Sequence, residues 1–139
     1  MLIYRSFPLG MKNVDVTRAL VVVHGASRDA DNYFRHALAA AFLAGGLENT
    51  VVISPRFPSG KGYGCAEADK VSEREATWQC DGPSRWMVGG GAADGGDVTS
   101  FDVVDEILRT LGRKDSFPNL KAIVVAGHSA GGQFVSRYQ

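Results

Sequence analysis

The residues best suited to chemistry lie near the end of the chain, where an apolar, β-branched stretch (122–126) runs into Gly127-His128-Ser129-Ala130-Gly131. This fits G-x-S-x-G, whose physical content is a sharp strand-to-helix turn that strains the backbone of the central serine and exposes its hydroxyl. Gly127 and Gly131 keep bulk away from the neighbouring strand and helix. A helix starting just after Ser129 would set free N–H groups and a positive dipole end beneath any negative charge developing there. Phe134, Val135 and Tyr138 give that helix an apolar side. The plainer reading is a glycine-rich turn in some other α/β protein, because glycine and serine are common residues.

Such a serine has to be carried by a sheet, and the rest of the chain reads as one. The 139 residues are 45% hydrophobic, enough for about one globular domain. Formal net charge is zero and no Lys/Arg run occurs, which argues against nucleic acid or an anionic membrane surface as partner. The apolar runs 19–23 and 37–44 are too short to span a bilayer, so no membrane span is expected. Residues 1–5 lack the charged start, apolar run and cleavage site of a signal peptide.

Residues 2–7 alternate loosely and end at Pro8, as an edge strand does. Residues 10–17 are turn-like, with room for a short strand. The β-branched run 19–23 predicts a strand covered on both faces, ending in His24-Gly25-Ala26-Ser27. Asp29 and Asp31 then start a helix whose apolar face is Tyr33, Phe34, Ala37, Leu38, Ala41 and Phe42, stopped by Gly45-Gly46. Residues 50–54 form another buried strand, broken by Pro55.

Residues 56–98 form a long glycine-rich excursion holding both cysteines and both tryptophans; loops of this length are usually functional or disordered. Ser100 is expected to cap a helix patterned by Phe101, Val104, Ile107, Leu108 and Leu111. Strands alternating with helices predict an α/β fold, a mostly parallel sheet with flanking helices.

Within the excursion, Cys65 and Cys80 have neither C-x-x-C spacing nor nearby histidines, so zinc is not expected. They read equally as a loop-closing disulfide or as two free thiols. The disulfide would imply an oxidising compartment, periplasmic or extracellular, and the thiols a cytoplasmic one. Residues 89–97 are glycine-rich but match neither phosphate-loop pattern, and Asp94 and Asp97 lack the spacing of a calcium repeat, so no metal is assigned. Trp78 and Trp86 could line a substrate pocket or cover the excursion's own small core.

Taken together, His24-Gly25-Ala26 after an early strand and Gly127-His128-Ser129-Ala130-Gly131 after a late one resemble the N-terminal half of an α/β-hydrolase, of an esterase-like kind. The resemblance implies Ser129 as nucleophile and the backbone N–H of Ala130 as one oxyanion-hole donor. It implies the N–H of Ala26 as the second donor, with Ser27 next in line. Losing such a donor typically costs about 3 to 4 kcal/mol of barrier. His24 and Gly25 would shape the turn rather than act as base, and His128 would point away from the serine face. Arg28 and Tyr33, just behind the turn, would brace it, touch substrate or simply begin the helix.

The resemblance also implies a carboxylate and a histidine later in the chain than the serine. Residues 130–139 contain neither. The expectation is therefore that 1–139 is the N-terminal portion of a single domain, an incomplete α/β-hydrolase fold. A C-terminal fragment, separate or missing, would supply acid and histidine and complete the sheet beyond the apolar edge of 122–126. The implied activity is hydrolysis of a small-molecule carboxylic ester, or an amide, through an acyl-enzyme, with no cofactor. Two other readings stay open: a non-catalytic ligand-binding protein on the same fold, and a carbon–carbon or cyanohydrin lyase.

Overall fold

The computed structural model describes residues 2–139. In chain order the elements are β1 (Ile3–Arg5), β2 (Arg18–Val23), α1 (Ala30–Leu43), β3 (Thr50–Pro55), α2 (Ser100–Leu111), β4 (Ala122–Gly127) and α3 (Ala130–Tyr138). Short 3-10 turns lie at Leu47–Asn49 and Trp86–Val88. Residues 10–17, where a further strand had room to form, are turns and bends.

The strands make one open sheet in the order β1-β3-β2-β4. β2 is parallel to both neighbours, whereas β1 pairs antiparallel with β3, so the sheet is mixed and the mostly parallel expectation holds only for its β3-β2-β4 part. The physical reason lies in the connections. A strand parallel to β2 would need a long crossover, usually a helix, to bring the chain back to the start of β2, and the 6–17 connection carries none. β1 runs toward the end of the sheet where β2 begins, which makes it antiparallel to β2 and β3 alike.

β2 alternates: Ala19, Val21 and Val23 are buried in the main core, while Leu20 and Val22 are half-buried. That core also takes Val103, Val104, Ile107 and Leu111 of α2 and Phe134 of α3. Leu20 faces α1 instead, sharing a shallow cavity with Ala40, Ala41 and Ala44. The two faces of β2 are thus unequally covered, which corrects the expectation of full burial. β3 is the strand buried along nearly its whole length. No helix among the described residues is long and apolar enough to cross a membrane.

Two helices depart in detail from the sequence pattern. Phe42 is 67% exposed, because it lies about 100° around α1 from Ala41 and so turns off the sheet-facing side. α2 is capped by Thr99, not Ser100: Thr99 Oγ1 accepts from Asp102 N–H, and the Asp102 carboxylate accepts from Thr99 N–H in return. These bonds hold the Asp102 carboxyl below the usual carboxylate range. Ser100 is buried, and its hydroxyl donates to Trp86 O at 2.5 Å.

Candidate active site

β2 and β4 are register partners, with Val23 opposite Gly127. The chain therefore leaves the same end of the sheet twice, side by side, once into His24-Gly25-Ala26 and once into His128-Ser129-Ala130. From there α1 covers one face of the sheet and α3 the other. Divergence of this kind at the carboxyl ends of parallel strands leaves a crevice where ligands bind in open α/β sheets.

Ser129 stands at this end of the sheet with φ 57° and ψ −119°, a conformation that side chains rarely adopt, and the residue is exposed. The close packing around it explains the glycines. A Cβ on Gly127 would lie 2.2 Å from Gly131 O, and one on Gly131 would lie 2.2 Å from Val23 O. Both contacts are with backbone, so neither can be relieved by a side-chain rotation. α3 begins at Ala130, whose N–H, like that of Ala26, has no hydrogen-bond partner among the described residues.

The early turn lies against the elbow. A Cβ on Gly25 would come within 3.7 Å of Ser129 Cβ and 2.9 Å of the Tyr33 hydroxyl. That hydroxyl also meets His128 Nδ1 at 3.3 Å, so Tyr33 bridges the two motifs, and His128 is exposed. The turn closes by a hydrogen bond from Arg28 N–H to Gly25 O at 3.1 Å. Ala26 and Ser27, its central residues, are exposed and border a cavity of about 360 Å³ together with Arg28, Ala66 and Glu67. A larger cavity of about 580 Å³ lies along α2 and includes none of these residues. Backbone geometry at Ser129, rather than cavity size, marks the candidate site.

His24 is fully buried behind the turn. Its Nε2 accepts from Phe57 N–H at 3.0 Å, so in the neutral ring the proton sits on Nδ1, which donates to Gly25 O at 2.9 Å. Burial lowers its pKa from 6.5 to about 4. Both nitrogens are occupied within the fold, and the ring braces the turn. His36 lies exposed on α1. Among the described residues, Ser129 Oγ has no histidine or carboxylate hydrogen-bond partner.

Trp78 and Trp86 are buried in an aromatic cluster beneath the elbow. Trp86 stacks on Phe57 with centroids 5.4 Å apart, and Phe57 stacks in turn on Phe134 of α3 at 5.4 Å. Both tryptophans belong to the main core rather than to a small core of the excursion's own, and Trp78 also borders the cavity of about 580 Å³ along α2. Neither indole N–H finds a partner among the described residues, a cost of about 1 to 3 kcal/mol each that their apolar burial has to offset. The aromatic packing under α3 joins residues far apart in sequence, and no local signal announced it.

Arg28 is the residue beside the turn that sequence reasoning left least defined. Its Nε donates to Asp69 Oδ2 at 2.6 Å, and its fork reaches Ala26 O at 2.9 Å, Glu67 O at 2.8 Å and Cys80 Sγ at 3.4 Å. Cys65 and Cys80 form a disulfide, with Cα atoms 5.1 Å apart, which decides between the two readings of the cysteines. No protein-family model, curated protein or solved structure matches the chain.

Proposed function

We propose that this chain carries the nucleophile portion of an α/β-hydrolase that cleaves a small-molecule carboxylic ester, or an amide, through an acyl-enzyme on Ser129. The observation carrying the reading is the strained, exposed Ser129 at the end of β4, with the Gly25 turn so close that a Cβ on Gly25 would lie 3.7 Å from the Ser129 Cβ. A non-glycine residue is kept in such a conformation only where the surroundings over-determine it, and such strain concentrates at functional sites.

In the proposed reaction Ser129 Oγ attacks the substrate carbonyl carbon while a general base removes its proton. The carbonyl oxygen takes up negative charge, and the free N–H groups of Ala26 and Ala130, with Ser27 beside them, donate to it. Collapse of the tetrahedral intermediate expels the alcohol or amine and leaves the acyl group on Ser129. Water then repeats the sequence and releases the acid. His24 is unsuited to be the base, since both its nitrogens are engaged behind the turn. The reading therefore assigns the base and its orienting carboxylate to a C-terminal segment outside residues 1–139. The open edge of β4, where Val124 is 54% exposed, is where further sheet would dock.

The test is intact-mass analysis of the protein isolated from its native host after fluorophosphonate treatment. One adduct on Ser129, blocked by Ser129→Ala and accompanied by loss of ester turnover, is the expected result. The absence of a base beside Ser129 among the described residues favours a second reading, a ligand-binding protein on the same scaffold. That reading predicts no adduct while small apolar esters still bind.

A further inference from the structure

Two of the three peptide units of the 25–28 turn are held by their carbonyl oxygen. Gly25 O accepts from His24 Nδ1 at 2.9 Å and from Arg28 N–H at 3.1 Å. Ala26 O accepts from the Arg28 guanidinium at 2.9 Å. In a planar trans peptide the C=O and the following N–H point in opposite directions. Fixing Gly25 O therefore fixes the direction of the Ala26 N–H, and fixing Ala26 O fixes that of the Ser27 N–H. Arg28 takes part in both, and it does so with its own backbone at φ 57°, a strained value for arginine.

What anchors Arg28 is the excursion. Its side chain is only 9% exposed, and Asp69, Glu67 O and Cys80 Sγ receive its remaining donors. Asp69 is itself pinned by Ser59 N–H at 2.8 Å and lies 3.9 Å from Arg56, which pairs with Glu75 at 3.2 Å. Glu67 and Asp69 lie inside the loop that the Cys65–Cys80 disulfide closes, with a sequence separation of 15. A planar guanidinium fork can make these contacts simultaneously; a lysine ammonium cannot reach them in one geometry.

We propose that Arg28 is a positioning residue: it locks the direction of the Ala26 and Ser27 N–H groups by tying their turn to the disulfide-closed 65–80 loop, so that the site beside Ser129 is fully organised only while the disulfide is intact. The inference rests on the acyl-transfer reading of Ser129. Opening the lock needs a dithiol reductant. It delivers two electrons and two protons, the S–S bond breaks, Cys65 and Cys80 become thiols, and the reductant closes to its own disulfide.

The experiment uses the protein expressed from its complete coding sequence and reads two quantities. The first is the NMR order parameter of the Ala26 and Ser27 amides, where about 0.85 marks a rigid backbone and below about 0.6 a flexible one. The second is the rate constant for covalent capture of Ser129 by a fluorophosphonate at saturation, separated from the affinity for the probe. In oxidised wild type both amides should be rigid. Arg28→Gln should make the Ser27 amide flexible, and the Ala26 amide less so, because His24 Nδ1 and the backbone N–H of residue 28 still hold Gly25 O. It should slow capture about tenfold or more without weakening probe affinity, leaving the amides of α3 unchanged. Arg28→Lys should not restore the rate. Reducing the wild-type disulfide with dithiothreitol should act in the same direction, and this arm stands even if Arg28→Gln fails to fold.

Unchanged order parameters at Ala26 and Ser27 after reduction would overturn the proposal, as would loosening spread equally through α3. If oxidised wild type never captures the probe, the acyl-transfer reading fails. The order parameters then still decide whether Arg28 and the disulfide hold the turn.

Discussion

Phe57 N–H donates to His24 Nε2 across 3.0 Å, so the first residues of the excursion and the turn after β2 are joined through one buried imidazole. That bond requires a neutral ring, since a protonated imidazole has no lone pair to accept it.

Acid should therefore weaken the fold through His24. Its folded pKa of about 4 lies below the ordinary 6.5, so the unfolded chain binds the proton more readily. The stabilisation is fully present above pH 6.5 and is lost as pH falls toward 4. At about 1.4 kcal/mol per pH unit, the fold should be roughly 2 kcal/mol less stable at pH 5 than at pH 8. Urea denaturation at the two values measures this. A His24→Asn variant should show a smaller pH dependence, and equal dependence in both proteins would refute the assignment.

The elbow glycines should not be equivalent. Gly127→Ala and Gly131→Ala each drive a methyl into backbone, at 2.2 Å in both cases, and should cost about 3 kcal/mol or prevent folding. At Gly132 a Cβ would meet Gly127 O at 3.5 Å, an ordinary contact on a helical residue. Gly132→Ala should be neutral or stabilise by up to about 1 kcal/mol through helix propensity. Thermal melts of the three variants distinguish these outcomes.

Removing the serine should strengthen the protein. At φ 57° and ψ −119°, Ser129 holds a conformation that glycine adopts without penalty. Ser129→Gly should raise stability by about 1 kcal/mol while abolishing covalent capture by a phosphonate. A destabilised Ser129→Gly would mean that the serine side chain, rather than function, holds the turn.

The open edge of β4 should govern self-association. Ile123 and Val124 are 37% and 54% exposed on a strand bonded to β2 alone. For the 139-residue chain, Val124→Lys should reduce aggregation measured by light scattering and leave the melting temperature nearly unchanged. A large fall in melting temperature would show that Val124 is already packed.

Much of this architecture was legible in residue order, because periodicity and punctuation are local properties. The β-branched runs at 19–23, 50–54 and 122–126 became β2, β3 and β4, and Gly45 ended α1 at a left-handed turn with φ 65°. G-x-S-x-G announced the strained turn too, although only Gly127 has a local reason, the α3 backbone at Gly131, while Gly131 makes room for Val23 O of the neighbouring β2. Where prediction slipped, the deciding energy was shared between neighbours. Thr99 rather than Ser100 caps α2, since Trp86 O claims the Ser100 hydroxyl, and Phe42 stays outside because α1 reaches the sheet with another side.

By itself, the sequence determined which residues could be strands, helices and a serine elbow, since those follow from side-chain shape and backbone freedom within a few residues. Tertiary structure decided the rest. It set the antiparallel β1, the register that aligns Val23 with Gly127, and the pairing of Cys65 with Cys80. It also brought Arg28 to Asp69, 41 residues away along the chain. These are contacts between distant segments. Their energies depend on burial, and burial exists only once the sheet, the helices and the excursion have closed around one another.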